Sequence, residues 1–268
     1  MEQGSNEWLA WRKQGIGASE SAALLGTDPY GKTPYKLWME KKGGEPEDTE
    51  AQSGLFQRGH ETEAMVRAAL ELETGVDYPP ALFEHILFPF IRASLDGWAD
   101  EVAAKNACLP RGMECKMVGI KALAEPIPTH HQVQLQHQML VTGQDEWLYV
   151  RHAEGTTQRF TVKADLGMQA KILSACWDFW ARIQSNTAPA FTDQDWVPVE
   201  NENLDLALRM MAEQTTTTKR APYRAEALRL AAQLRAGNRI ETMLAKVQLN
   251  PARVTLKKST MKKERPNA

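Results

Sequence analysis

The sequence has few of the features of a disulfide-bonded, secreted or membrane protein. It contains only three cysteines, Cys108, Cys115 and Cys176. None of them shows Cys-x-x-Cys spacing, so neither a disulfide framework nor a cysteine zinc site is predicted. No apolar run approaches the ~20 residues of a membrane helix. The N-terminal segment MEQGSNEWLAWRKQG lacks the apolar core of a signal peptide. We therefore expect a cytoplasmic protein without a membrane partner.

Charge is unevenly distributed, although the net charge is only −2. Of the 32 lysines and arginines, 14 fall from residue 201 onward, whereas only six of the 34 acidic residues do. The basic end finishes in KKSTMKKERPNA. Such tails often bind nucleic acid, and a solvated terminus is the alternative. We predict a main domain over residues 1–200, then a basic helical extension over 201–268 with a disordered tail.

Periodicity and capping residues predict helices around two strand pairs. Ser19 is a candidate N-cap for a short helix over 19–25, and Thr33 with Pro34 opens the next helix. Further helices are predicted over 59–74, 130–143 and 165–184, with strands within 81–103 and 113–118 and a hairpin over 146–164. The fold class is α/β, in the α+β sense, with a small mixed sheet flanked by helices.

The stretch RASLDGWADEVAAKNACLPRGMECKMV, residues 92–118, carries the chemistry. Side chains alternate along a strand, so Glu114 and Lys116 share one face and Cys115 points away. Together with Asp96 on the neighbouring strand, this arrangement is able to bind Mg²⁺ and orient an attacking water. Glu-x-Lys is also common in ordinary cross-strand ion pairs, and both interpretations stay open on these residues alone.

Four segments of the sequence, found in the order given, favour the metal-site interpretation over the ordinary ion pair. They are WRKQGIGASESAALLGTDPYGKTPYKLWMEKKGG, RGHETEAMVRAALELETG, the stretch from RASLDG to ECK, and HHQVQLQHQMLVTG. In these segments the chain resembles the lambda exonuclease and YqaJ-type viral recombinase branch of the PD-(D/E)xK nucleases. The resemblance spans roughly residues 8–150, and the segments beyond fit to about residue 190.

The resemblance implies a restriction-endonuclease-like PD-(D/E)xK core in residues 1–200 and assigns roles to individual residues. Asp96, Glu114 and the Cys115 backbone carbonyl would bind Mg²⁺, with Mn²⁺ as a substitute ion, and Lys116 would position the water. Glu63 would hold a metal-bound water or a second metal, with Glu61 as the competitor. Gln134 would be the active-site glutamine, with Gln138 on the same helical face. The 5′-phosphate pocket would comprise Arg12, Ser19, Ser94 and Gln134.

Arginine and a helix N-terminus suit such a pocket independently, because guanidinium binds phosphate through two donors and helix amides favour anions. Two departures from the family pattern stand out. Leu95 replaces the proline that the family name implies before the aspartate, and the insert at 97–113 lengthens the motif. We expect this insert to extend the hairpin or form a surface loop. Asp100 and Glu101 within it are read as solvated acids rather than catalytic ones.

The remaining aromatic and histidine residues are predicted to serve either core packing or contacts with nucleic acid. Trp177 and Trp180 fit core packing, whereas Trp8 and Trp11, flanking the proposed pocket, are candidates for base stacking. Histidines near the QLQHQ segment show no recognised zinc spacing and are read as polar or phosphate-facing; these are His130, His131 and His137.

The resemblance implies a Mg²⁺-dependent 5′–3′ exodeoxyribonuclease, bacterial or phage-encoded, acting in DNA recombination and repair. It would digest linear double-stranded DNA from 5′-phosphorylated ends and leave 3′ overhangs. The implied partners are double-stranded DNA ends, further copies of the chain in a trimeric ring, and a single-strand annealing protein. The alternatives are an endonuclease or an exonuclease of other polarity, and a non-catalytic DNA-binding module.

Overall fold

A computed structural model describes residues 4–43, 50–190 and 192–195. It shows a mixed α/β fold with small mixed sheets flanked by helices, as predicted. The helices are α1 Asn6–Lys13, α2 Ser21–Leu24, α3 Pro34–Lys41, α4 Glu50–Thr74, α5 Glu101–Asn106, α6 Thr129–Thr142 and α7 Leu166–Ser185. Short 3₁₀ turns cover Ala18–Glu20, Ile120–Ala124 and Asp193–Asp195. The predicted extension over 201–268 lies outside the described residues.

The described strands form two sheets. The strands are β1 Ile16–Gly17, β2 Ala81–Glu84, β3 Ile91–Leu95, β4 Gly97–Trp98, β5 Gly112–Met117, β6 Glu146–Ala153 and β7 Thr156–Lys163. The first sheet has the order β1-β3-β2 and the second β4-β5-β6-β7. In each sheet one pair is parallel, β1 with β3 and β5 with β6, and the other pairs are antiparallel. The chain passes from the first sheet to the second at Asp96.

Local sequence accounts for several helix ends. Thr33 Oγ1 accepts a hydrogen bond from the Lys36 amide (3.1 Å), and Pro34 occupies the first turn of α3 as predicted. Asp165 caps α7 by accepting from the Met168 amide (3.0 Å). Gly143 ends α6 with φ 69°, a left-handed conformation that glycine adopts without a steric penalty.

Two expectations about local structure were wrong. Gly17, not Ser19, caps the first turn, because the Glu20 carboxylate accepts from the Gly17 amide (2.8 Å) and Ser19 lies inside the 3₁₀ turn. Helix α4 begins at Glu50 rather than Gly59, and its buried side is formed by Val66 and Leu70, whereas Leu72 is 90% exposed.

The two ends of the insert over 97–113 pair antiparallel as β4 and β5, which extends the hairpin as expected, but the segment between them is not an irregular loop. It contains helix α5, which Asp100 caps by accepting from the amides of Val102 and Ala103. Glu101 pairs with Arg111 at 3.3 Å on the surface. Both acids therefore have structural contacts outside the site described below.

Strand β6 divides the core into two clusters, which explains its continuous apolar sequence. Trp147 and Tyr149 face the cluster that contains α6 and α7, whereas Leu148 and Val150 face the cluster that contains α4. Strands buried on both faces read as apolar runs rather than as alternating patterns. No helix in the described ranges is long and apolar enough to cross a membrane.

Gly112 offers a test of this packing, because a Cβ there would lie 2.2 Å from the Trp147 ring. We expect Gly112→Ala to lower the free energy of unfolding by about 1–3 kcal/mol, the usual cost of overpacking a core. The matched control is Gly119→Ala, where nothing lies within 4 Å of the added Cβ and φ is −71°. The control should change stability by less than about 0.5 kcal/mol in urea titration. Equal effects of the two substitutions would contradict the packing described here.

Candidate active site

Asp96 lies at the turn between β3 and β4, where the two sheets meet. Its side chain is largely buried, and Oδ2 accepts a hydrogen bond from the Cys115 amide at 2.8 Å. Arg67 of α4 donates to the Asp96 carbonyl at 3.0 Å. The next residue must be small, because a Cβ at Gly97 would lie 2.7 Å from Tyr78 Cβ. The aspartate is therefore held against strand β5 by both its backbone and its side chain.

Glu114 is the most fully hydrogen-bonded side chain of the site and is 1% exposed. Its Oε1 accepts from Gln134 Nε2 at 2.6 Å and pairs with Lys116 Nζ at 2.5 Å. Its Oε2 accepts from Gln138 Nε2 at 2.5 Å. Gln134 and Gln138 are one helical turn apart on α6, and Gln136 instead donates to the Lys163 carbonyl. Helix α6 thus presents two amide donors to one buried carboxylate.

Mutual repulsion of the carboxylates shapes the electrostatics of the site. Burial raises the pKa of Asp96 well above its usual value, and the charges of Glu114 and Glu63 raise it further. Burial alone would lower the pKa of Lys116, but Glu114, Asp96 and Glu63 together hold it above its ordinary value. Lys116 is therefore protonated at neutral pH and serves as a positive hydrogen-bond donor.

Glu63, on α4, contributes to the fields at Asp96, Cys115 and Lys116. Its side chain is half-buried, whereas Glu61 is exposed. A charge that shifts the pKa of a neighbour by a direct Coulomb interaction lies close to it. The geometry therefore favours Glu63 over Glu61 as the third acid, which stays a proposal.

The donor set suits a hard cation. In the described part of the chain, no three side chains of His, Cys, Asp and Glu form a preassembled metal cluster. The oxygen donors available to such a cation are the carboxylates of Asp96 and Glu114, together with the backbone carbonyl of Cys115 on strand β5. Mg²⁺ is commonly bound through one or two carboxylates while it keeps several waters. The residues therefore fit a magnesium ion, and a cation there would offset the repulsion between the carboxylates.

The residues predicted to hold a 5′-phosphate are linked through Trp8. Arg12 Nη2 lies 3.4 Å from Ser19 Oγ, and its guanidinium sits 4.8 Å from the centre of the Trp8 ring. Trp8 Nε1 donates to Ser94 Oγ at 3.3 Å. Arg12, Ser19 and Ser94 are thus brought together, whereas Gln134 is engaged by Glu114. Trp8 and Trp11 are each covered by an arginine, Arg12 and Arg92.

Glu20 and Lys41 were missed in the sequence and lie directly behind Arg12. Glu20 accepts from Arg12 Nη2 at 3.2 Å, and Lys41 Nζ lies 2.8 Å from Glu20 Oε2. Burial alone would raise the pKa of Glu20, but the positive charges of Lys41 and Arg12 hold it below its ordinary value. The available signal was a lone carboxylate within the small, apolar segment ASESAALL.

The sequence predicted polar or phosphate-facing roles for the histidines near α6, but not all of them have such a position. His137 is fully buried, with Nδ1 2.5 Å from Ser21 Oγ, and Nε2 donates to the Arg92 carbonyl at 3.0 Å. Burial lowers its pKa to about 4, so its ring is neutral. His131 shares a 2.6 Å hydrogen bond with the Tyr149 hydroxyl, and burial lowers its pKa to about 3. His130 is half-buried beside Tyr30.

Trp177 was also misassigned, because it is 52% exposed rather than buried in the core. It contacts Phe88 and Phe90 edge-on at the surface. Trp180 stacks on Phe90 and is partly buried. Leu166, at the first position of α7, is 76% exposed.

The chain is similar to known proteins in sequence and in fold. A family model for the YqaJ-like viral recombinase domain matches residues 7–145. YqaJ from Bacillus subtilis strain 168, described as uncharacterized, is 33% identical over 148 residues. That match covers 53% of this chain and 44% of YqaJ, so it spans less than half of the relative.

Two solved structures share the fold. The alkaline exonuclease LHK-Exo from Laribacter hongkongensis has a TM-score of 0.53 at 20% identity, over 68% of this chain and 94% of that chain. The structure of LHK-Exo in complex with dAMP has a TM-score of 0.54 at 19% identity, with the same coverage. At these identities the two structures show that the fold is shared.

The buried, neutral state of His137 predicts a pH-dependent stability. Its folded pKa of about 4 lies below its ordinary value of about 6.5, so the unfolded state takes up the proton first as the pH falls. The contribution to stability is complete above pH ~6.5 and should be lost between pH ~6.5 and ~4, by roughly 3 kcal/mol. His137→Gln retains one donor and one acceptor without titrating. The stability difference between wild type and His137→Gln, measured by urea titration, should change across that range, and parallel curves would contradict the assignment.

Proposed function

Because the chain belongs to the YqaJ-like viral recombinase family, we propose that it is a Mg²⁺-dependent 5′–3′ exodeoxyribonuclease. It digests linear double-stranded DNA from 5′-phosphorylated ends and leaves 3′ single strands for recombination or annealing. The observation that supports hydrolysis at this site is the buried Glu114 carboxylate, which is bound by Gln134, Gln138 and Lys116. Beside it, the Asp96 carboxylate accepts a hydrogen bond from the Cys115 amide.

The site residues divide the chemistry among them. Asp96, Glu114 and the Cys115 carbonyl would hold the Mg²⁺, and Glu63 would hold a metal-bound water or a second ion. When bound, the metal lowers the pKa of the attacking water and offsets negative charge on the leaving oxygen. Lys116, kept protonated by the surrounding acids, donates to Glu114 and would orient the water. Gln134 and Gln138 hold the Glu114 carboxylate in place through their hydrogen bonds.

The 5′ end would bind at Arg12. Guanidinium recognises phosphate through paired N–H donors, and Arg12 lies between the ring of Trp8 and the hydroxyl of Ser19. That an alkaline exonuclease of the same fold has been solved with dAMP is consistent with a nucleotide site in this fold. The trimeric ring, the annealing partner and the choice of Mg²⁺ over Mn²⁺ are also proposed from the family resemblance.

The first test is metal-dependent hydrolysis. With Mg²⁺, wild type should digest a linear duplex, and removal of the ion with EDTA should abolish activity. Lys116→Ala should lower kcat by roughly 10²–10⁴-fold, the range for a group that assists proton transfer or orientation. Glu101→Gln, in an exposed ion pair with Arg111, is the control and should retain activity. Undiminished hydrolysis by Lys116→Ala would contradict the assignment of this site.

The second test concerns the DNA end. Duplexes labelled on each strand, with a 5′-phosphate or a 5′-hydroxyl, should show faster digestion of the phosphorylated strand from its 5′ end. Arg12→Gln should lower this preference in kcat/KM by roughly 10–100-fold, because a hydrogen bond to a charged group contributes about 1.5–3 kcal/mol. Digestion from 3′ ends would exclude the proposed polarity, and equal digestion of both 5′ ends would exclude the pocket while leaving the nuclease assignment intact.

A further inference from the structure

A buried charge cluster lies behind the proposed phosphate pocket. The Glu20 carboxylate binds three donors: Arg12 Nη2 at 3.2 Å, Lys41 Nζ at 2.8–2.9 Å and the Gly17 amide at 2.8 Å. The side chains of Glu20 and Lys41 are only 7% and 4% exposed, whereas Arg12 is 30% exposed. The buried members therefore lie on the protein side of Arg12.

Lys41 contacts both the Glu20 carboxylate and the backbone of Arg12. In addition to Glu20, its Nζ donates to the backbone carbonyl of Arg12 at 2.8 Å. The last turn of α3 is thereby joined to the end of α1 and to the 3₁₀ turn that carries Ser19. A buried charge is tolerated in a protein only when it is paired and hydrogen-bonded. The three side chains meet this requirement as a group.

The charges of the cluster do not cancel. One carboxylate faces two basic side chains, those of Lys41 and Arg12. Burial lowers the pKa of Lys41, and the adjacent Glu20 carboxylate opposes that shift by favouring the charged lysine. Without Lys41, Glu20 would neutralise Arg12 and the pocket would lose its surplus positive charge. Without Glu20, Arg12 would lose the contact at Nη2 that holds its guanidinium beside Ser19.

We propose that Glu20 and Lys41 are positioning residues for 5′-phosphate recognition. Glu20 fixes the Arg12 guanidinium beside Ser19, and Lys41 offsets the charge of Glu20 so that Arg12 remains attractive to an anion. This inference rests on the proposed function, because it assigns Arg12 to the end-binding pocket. It adds two residues of opposite charge that need not touch the DNA.

The experiment measures DNA binding in a Lys116→Ala background, with fluorescence anisotropy of matched duplexes that carry a 5′-phosphate or a 5′-hydroxyl. The readout is the ratio of the two Kd values, which a uniform loss of folded protein does not change. Glu20→Gln and Lys41→Met should each lower the preference for 5′-phosphate by roughly tenfold, as expected for coupled charges in contact. Glu73→Gln, in an exposed ion pair with Arg159, is the matched control and should leave the ratio unchanged.

Steady-state kinetics, measured in the enzyme that retains Lys116, provide an independent readout of the positioning role. The same two variants should raise KM for the 5′-phosphorylated duplex by a similar factor and leave kcat nearly unchanged, because the metal site is intact. Should the buried variants not fold, Glu20→Asp keeps the charge, withdraws it by one methylene and should also reduce the preference.

The outcomes separate this inference from the proposed function. An unchanged Kd ratio in folded Glu20→Gln and Lys41→Met, in a protein whose parent prefers 5′-phosphate, overturns the positioning role alone. Equal weakening of both duplexes also overturns it, because a purely structural contribution would act in that way. A parent protein without any preference for 5′-phosphate overturns the pocket and this inference together.

Discussion

The burial of the Glu114 carboxylate is the constraint on which the site depends. Leaving such a charge unpaired in the interior typically costs about 3–5 kcal/mol, a large part of the stability of a small domain. Its three side-chain donors come from two directions, Gln134 and Gln138 from α6 and Lys116 from the same strand. The parallel pairing of β5 with β6 then fixes Glu114 opposite Tyr149, whose ring packs in the main core. The position of α6 on the sheet is therefore part of the electrostatics as much as of the packing.

The acidic site also explains why Lys116 is held as a charged hydrogen-bond donor. Asp96, Glu114 and Glu63 repel one another, and within the described residues Lys116 is the cation that interacts with all three. A lysine in this environment keeps its proton, which favours positioning of water and charge compensation over proton abstraction. The same logic recurs at the pocket with opposite signs, where Glu20 holds two cations together.

Much of the local structure could be predicted because its causes are local. Strand alternation placed Glu114 and Lys116 on one face, and Thr33 and Asp165 marked the starts of helices correctly. The i, i+4 spacing of Gln134 and Gln138 correctly predicted a shared face. Features that depend on partners distant in sequence were missed or misread. His137 was read as polar or phosphate-facing because its partners, Ser21 and the Arg92 carbonyl, are 116 and 45 residues away. The Ser19 N-cap was wrong for a local reason, since the Glu20 carboxylate accepts from the Gly17 amide three residues earlier.

The first sheet links the two parts of the proposed site over a very short distance. Ser94 contacts Trp8 beside Arg12, and Asp96 lies two residues further along the same chain. Two residues span at most about 7 Å, so the proposed end-binding pocket and the proposed metal ligands cannot move far apart. Ser94 lies in β3, whose neighbours Ala93 and Leu95 are fully buried, so the strand is anchored on both sides of it. A rigid connection of this kind would suit the proposed cleavage from the end of the DNA, because pre-organised geometry removes the entropic cost of aligning a bound end with the proposed hydrolytic site.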